Sequence, residues 1–175
     1  MPLYFFAKSY LLGNFDKSID MLVQAKSINI FGMRPYKPVA LYFEQLIGEF
    51  YPKVRQLSHD SEVVLDKVMQ IENEEVLLVF SLEPYTERII RAAKVAHELD
   101  IPIILITDHI SCPIMKYATT VLKIEASDDV FSIIPTIALM EAMVIEFGKR
   151  FSGDSIEKLN KLQKILKENY VTFSY

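Results

Sequence analysis

The chain has 175 residues, 51% of them apolar and 24% charged, which argues against a disordered or fibrous polymer and for one domain around a single core. Lys and Arg total 19 against 23 Asp and Glu, a formal net charge of -4, and the densest basic pair is Lys149-Arg150, so nucleic-acid binding by this chain alone is not expected. Cys112 is the only cysteine; it allows no intrachain disulfide and fits a reducing, cytoplasmic setting.

Residues 1–12 are apolar but carry Lys8 and show neither a basic leader nor a small-residue cleavage site. They read as an arm or helix packing on the domain. Apolar runs elsewhere fall far short of the ~20 residues of a membrane span, so no membrane partner is expected. Asn14 is placed to cap a helix carrying Phe15, Ile19, Leu22 and Val23. A short strand follows over 27–31, ending at Gly32. A second helix, over 35–50, has Val39, Phe43, Leu46, Ile47 and Phe50 at helical spacing. Pro35 and Pro38 fit only its first turn.

A weaker strand over 53–57 leads to a third helix, which Ser58 or Asp60 is expected to cap and which carries Val64, Leu65, Val68 and Met69. The third strand, over 76–80, is continuously apolar, as a strand covered on both faces should be. Helix four follows over 84–99, then a strand over 102–107, a short helix near 111–118 and a fifth strand over 120–124. A long apolar helix spans 134–147. Asp154, with Glu157 three residues on, opens the last helix in a capping-box pattern; Ile156, Leu159, Leu162, Ile165 and Leu166 form its apolar stripe. Strands alternating with helices at crossover spacing predict an α/β fold, a three-layer α/β/α sandwich around a five-stranded parallel sheet.

In such sheets ligands bind beyond the carboxyl ends of the strands. The turn after strand three reads Ser81-Leu82-Glu83-Pro84-Tyr85-Thr86. Its hydroxyls sit beside a helix N-terminus, whose free N–H groups favour an anion. Glu83 competes for the same donors, and helix capping explains Ser81, Glu83 and Thr86 equally well. After strand one, Gly32-Met33-Arg34-Pro35-Tyr36 has one glycine where a dinucleotide fingerprint needs three. Arg34 there is either a fork for a phosphate or carboxylate or a solvated side chain, with Lys37 as a substitute donor. Ser58, His59 and Asp60 are adjacent, and adjacent residues rarely converge. His59, His97 and His109 lack metal-ligand spacing, so neither metal nor cofactor is expected. Cys112 reads as structural. Glu141, on the apolar helix with Ile134, Ala138 and Ile145 on its face, is either a pocket carboxylate suited to proton transfer or paired in a subunit interface.

Ile30-Phe31-Gly32 before a helix, Phe80-Ser81-x-x-Pro84-Tyr85-Thr86-Glu87, and the run over 92–124 with Ile106-Thr107-Asp108 and Ser111-Cys112-Pro113 together resemble the SIS (sugar isomerase) phosphosugar-binding domain. The likeness is to the effector domain of RpiR/MurR-type bacterial transcription regulators. It spans about residues 15 to 150 and is most marked over 76–125. The resemblance implies a flavodoxin-like SIS fold over 13–152, with 153–175 belonging to the same domain or to an oligomer interface. It also implies a homodimer or homotetramer that binds a phosphorylated sugar or amino sugar.

Ser81 and Thr86 match the family's phosphate-holding hydroxyls, while Glu83 and Pro84 replace a serine and a glycine. Arg34, Pro35 and Tyr36 replace a small, hydroxyl-bearing run, and Ser58 matches a polar strand-two end. The ligand-binding set implied is Gly32, Arg34, Tyr36, Ser58, Ser81, Glu83, Tyr85 and Thr86. The expected function is a non-catalytic sensor domain whose DNA contact runs through a separate helix-turn-helix domain, for which residues 1–12 are too short. The alternatives are a phosphosugar isomerase with Glu141 as catalytic base, or a degenerate SIS fold that only oligomerises.

Overall fold

A computed structural model describes residues 10–60, 62–125, 132–151 and 154–169. Five parallel strands lie in the order β2-β1-β3-β4-β5: β1 Ile28–Gly32, β2 Val54–Gln56, β3 Val76–Phe80, β4 Ile103–Thr107 and β5 Thr120–Lys123. Every residue of β1, β3 and β4 is buried, which is why those strands read as unbroken apolar runs. Side-chain alternation splits them between two cores. Ile28, Ile30, Val76, Leu78, Phe80, Ile104 and Ile106 face one layer. Phe31, Leu77, Val79, Ile103 and Leu105 face the other.

Helices α1 Tyr10–Gln24, α2 Lys37–Gly48 and α5 Ile134–Arg150 cover the first face; α3 Val64–Val68 and α4 Glu87–Glu98 cover the second. A last helix, α6 Asp154–Glu168, touches the first core through Leu159. The three-layer α/β/α sandwich expected from the pattern is the fold observed. No described helix is long and apolar enough to cross a membrane.

Several local expectations are corrected. α1 starts at Tyr10, so Asn14 is inside the helix and caps nothing. Its Nδ2 instead donates to the Val121 carbonyl at 3.0 Å, and Lys17 Nζ donates to the Thr119 carbonyl at 2.8 Å. The first bond fastens α1 to the edge strand β5 and the second to the residue just before it. α3 is a short element that starts behind Val63. Neither Ser58 nor Asp60 caps it, because Ser58 is buried in another hydrogen bond, described below, and Asp60 lies three residues upstream. Only Val64 and Val68 of that helix are buried, while Met69 is exposed.

The segment 111–118 is irregular apart from a 3-10 turn, Met115–Tyr117. α4 begins at Glu87 rather than at Pro84, because the backbone stays extended through Thr86 (φ -101°, ψ 123°). It ends in left-handed Asp100 (φ 56°), with Ile101 N on the Ala96 carbonyl at 2.9 Å and Asp100 N on the His97 carbonyl at 3.1 Å, a Schellman closure. The N-terminal arm lies mostly outside the described residues, and so does the side chain of Asp154 in the expected capping box.

A candidate anion-binding site at the sheet switch point

β1 has β2 on one side and β3 on the other, so the connections leave it in opposite directions. The crevice beyond its carboxyl end is the topological switch point of an open α/β sheet. The turns after β1 and β3 meet there. Gly32 is required by the first turn, since a Cβ on it would lie 2.6 Å from the Tyr36 carbonyl oxygen and 3.1 Å from the Ala40 Cβ. The next residues fold as a 3-10 turn, Arg34–Tyr36. Arg34 adopts a left-handed conformation, φ 55°, that costs a side-chain-bearing residue about 1–2 kcal/mol, and its side chain is exposed on the rim. Tyr36 is buried.

The second turn presents Ser81 and Thr86 toward the first. Both line the hollow, with Met33, Arg34, Tyr36, Phe80, Pro84 and Ile89, and its volume is about 10 Å³. That is room for about one water, far below a sugar-sized pocket of ~300 Å³. Ser81 is 2% exposed and its Oγ has no hydrogen-bond partner, an uncommon and costly state for a buried hydroxyl. Its carbonyl is contacted by the Cys112 thiol at 3.8 Å, which gives that buried cysteine a structural place. Phe80 is held from below by an edge-on contact with Phe43, centroids 6.3 Å apart.

The remaining predicted residues surround this hollow without lining it. Ser58 Oγ accepts the Gly32 amide at 2.9 Å, so it fixes the strand-one turn from behind. Glu83 N donates to both oxygens of Asp108, at 3.1 and 3.3 Å, and the Tyr85 hydroxyl donates to Asp108 Oδ1 at 3.4 Å. Burial pushes Tyr36 up to about 12, with the charge of Asp108 adding to it. Tyr85 is likewise pushed up to about 12, by burial first and Asp108 second. Both phenols are therefore neutral donors at ordinary pH.

The structure thus brings Arg34, Tyr36, Ser81 and Thr86 together. Glu141 is elsewhere: it is exposed and accepts the Tyr42 hydroxyl at 3.2 Å, with Ile134 and Ile145 open to solvent on the same face. The buried face of α5 is instead Thr136, Met140, Met143 and Phe147. Among the described residues no cluster of His, Cys, Asp or Glu could hold a metal ion. Sequence reasoning missed Asp108 as a partner of this turn. The signal was available, since a carboxylate ending β4 must stand beside the turn that ends neighbouring β3.

A larger hollow, about 230 Å³, opens at the amino ends of the strands beside Glu75. That buried carboxylate is already met by Asn29 Nδ2 at 2.9 Å and Arg55 Nη2 at 3.2 Å, so it offers a ligand less than the orphaned Ser81 hydroxyl does.

Residues 21–146 match the SIS domain family. This chain is a SIS domain protein. Among curated relatives it is similar to the HTH-type transcriptional regulator HexR of Escherichia coli K12, 21% identical over 162 residues that cover 88% of this chain and 55% of the relative. The chain therefore spans about half the length of that protein.

Among solved structures, the sugar isomerase domain of an RpiR transcription factor from Sphaerobacter thermophilus superposes with a TM-score of 0.78 at 15% identity, covering 87% of each chain. The Vibrio vulnificus NanR protein, complexed with ManNAc-6P, gives 0.76 at 15% identity over 89% of this chain and 61% of its own. The SIS fold and its likeness to regulator domains agree with the resemblance read from the motifs.

Proposed function

We propose that this chain is the ligand-sensing SIS domain of an RpiR-type transcription regulator, and that it takes a phosphorylated sugar or amino sugar at the switch point of its sheet. The observation that carries the reading is the Ser81 hydroxyl, buried and unpartnered, lining a hollow between the β1 and β3 turns together with Arg34, Tyr36 and Thr86. A phosphate oxygen is an acceptor that would satisfy it, with Thr86 and the α4 N-terminus beside it. Arg34 supplies a cation on the rim. NanR, a relative in fold, is complexed with ManNAc-6P, and the ligand class is extended from it to this chain.

Since the hollow holds about one water, a sugar enters only if the Arg34–Tyr36 turn moves outward. Such movement is also how occupancy would be reported, because a ligand regulates only by favouring one arrangement over another. A thermal-shift screen of hexose and amino-sugar phosphates against their unphosphorylated parents tests this: a specific phosphosugar raises the melting temperature by mass action. No shift with any phosphosugar at millimolar concentration overturns it. The small hollow and the Glu83-Pro84 pair favour a second reading, a SIS fold kept only for packing between subunits, and the same negative screen would support it.

A further inference from the structure

We propose that Asp108 fills the anion seat of the strand-three turn, so that a phosphate entering the site must displace an internal carboxylate from the Glu83 amide. The inference rests on the site assigned above and names the residue that sets its preference for or against a phosphate. The carboxylate takes the Glu83 N–H with both oxygens, at 3.1 and 3.3 Å, and accepts the Tyr85 hydroxyl at 3.4 Å. It thus holds the place beside the α4 N-terminus that a bound anion would want.

Two other positions of the turn have no free backbone donor. Ser81 N is spent on the Ile106 carbonyl of β4 at 3.0 Å, and Pro84 has no N–H. The Ser81 hydroxyl, by contrast, is 2% exposed and unpartnered on the hollow. The turn therefore has one donor open on the hollow, the Ser81 hydroxyl, and another at the hollow's edge, the Glu83 amide, held by a residue that ends the neighbouring strand β4. Tyr36, which lines the hollow, is pushed up by burial first and by the charge of Asp108 second. With the exposed carboxylate of Glu83 on the same turn, two negative groups oppose an entering dianion and Arg34 favours it. The exchange of one carboxylate for one phosphate keeps the Glu83 amide satisfied in both states and gives the Ser81 hydroxyl an acceptor only in the bound one. It also makes Asp108 the residue that sets the preference between a phosphorylated sugar and its neutral parent.

Asp108→Asn keeps a carbonyl oxygen to accept the Glu83 amide but removes the charge, while Asp108→Ala removes both. The parent and both variants are titrated calorimetrically with ManNAc-6P, ManNAc and inorganic phosphate, and the Glu83 amide is followed in ¹H–¹⁵N spectra. Thermal melting checks that each variant is folded. Asp108→Asn is expected to bind ManNAc-6P or phosphate about ten-fold or more tightly than the parent, with ManNAc unchanged and the Glu83 amide shifting on phosphate addition. Equal or weaker binding by Asp108→Asn, or a Glu83 amide that stays put while phosphate binds, overturns the proposal. If the parent binds ManNAc-6P and Asp108→Asn is no tighter, displacement fails and the sensor reading stands. If only the variants bind, displacement stands and the sensor reading of the parent fails. No phosphate binding by any of the three overturns both.

Discussion

The Ser58 hydroxyl accepts the Gly32 amide hydrogen at 2.9 Å, so a side chain at the end of β2 completes the hydrogen bonding of β1 where the ladder between them has already stopped. Ser58 is itself held by its own amide on Gln56 Oε1 at 3.0 Å. Ser58→Ala leaves a buried N–H without an acceptor and is expected to destabilise the domain by about 1–3 kcal/mol. The check is urea unfolding, with a lower midpoint and an unchanged slope. An unchanged midpoint would mean that water replaces the hydroxyl.

Ser81→Ala has opposite expected effects on stability and on binding. With no partner for the hydroxyl in the free protein, its removal leaves unfolding neutral or slightly raised. The same change is expected to weaken a phosphosugar about ten- to a hundred-fold, from the loss of one hydrogen bond to a charged oxygen. Thr86→Ala weakens it similarly, and Glu83→Ser tightens it by removing a like charge. Calorimetry of these variants with the best ligand of the screen decides. If both alanine variants match the parent and Glu83→Ser binds no tighter, the phosphate is held elsewhere.

Alkaline stability reports on Tyr36. Its hydroxyl is raised from the ordinary 10.0 to about 12, so in the folded state it keeps a proton that the unfolded chain has already lost. Its contribution is intact below pH 10.0 and is lost as pH rises toward 12, amounting to about 2–3 kcal/mol. Tyr36→Phe should flatten this part of the curve. The measurement is denaturant unfolding at several pH values across that window; identical slopes for parent and variant would show that Tyr36 ionises freely.

The outer face of α5 leaves Ile134 72% and Ile145 59% exposed, with Ala138 and Ala142 between them on the same helical stripe. Such an apolar stripe, beside the Tyr42-bonded Glu141, is expected to be covered by another subunit. Sedimentation at high micromolar concentration should show a dimer or larger species. The double variant Ile134→Asp, Ile145→Asp should run as a folded monomer. A monomeric parent sinks this expectation.

The five strands expected from apolar runs and turn residues fall within a residue of those observed, and 76–80 coincides with Val76–Phe80. Strands buried on both faces leave an unmistakable signature, and local composition carries it. What failed was capping. Asn14, Ser58 and Asp60 are all good caps by type, yet Asn14 is used by Val121 and Ser58 by Gly32, partners distant in sequence that no local pattern reveals. The same limit hid Asp108. Ser81 and Thr86, the candidate hydroxyls, lie on one turn and are visible locally, but the carboxylate that meets the Glu83 amide comes from the end of the next strand. For Glu141 the sequence left a pocket and a subunit interface both open, because so apolar a helix does not announce which side is covered; the side that bears Glu141 is exposed.

The fastening of α1 to β5 has a bearing on how the chain is made. Asn14 reaches the Val121 carbonyl across 107 positions and Lys17 reaches Thr119 across 102, while Arg150 Nη1 grips Asp20 at 2.9 Å. A ribosome delivers α1 well before its docking site. Until β5 emerges, the apolar side of α1, with Ile19 and Leu22, has no native strand edge to lie against, and the sheet behind it is unfinished. A chain arrested before position 119 therefore exposes both surfaces at once, which makes it a natural client for chaperones and proteases. Completion of the last strand is the event that seals the first helix.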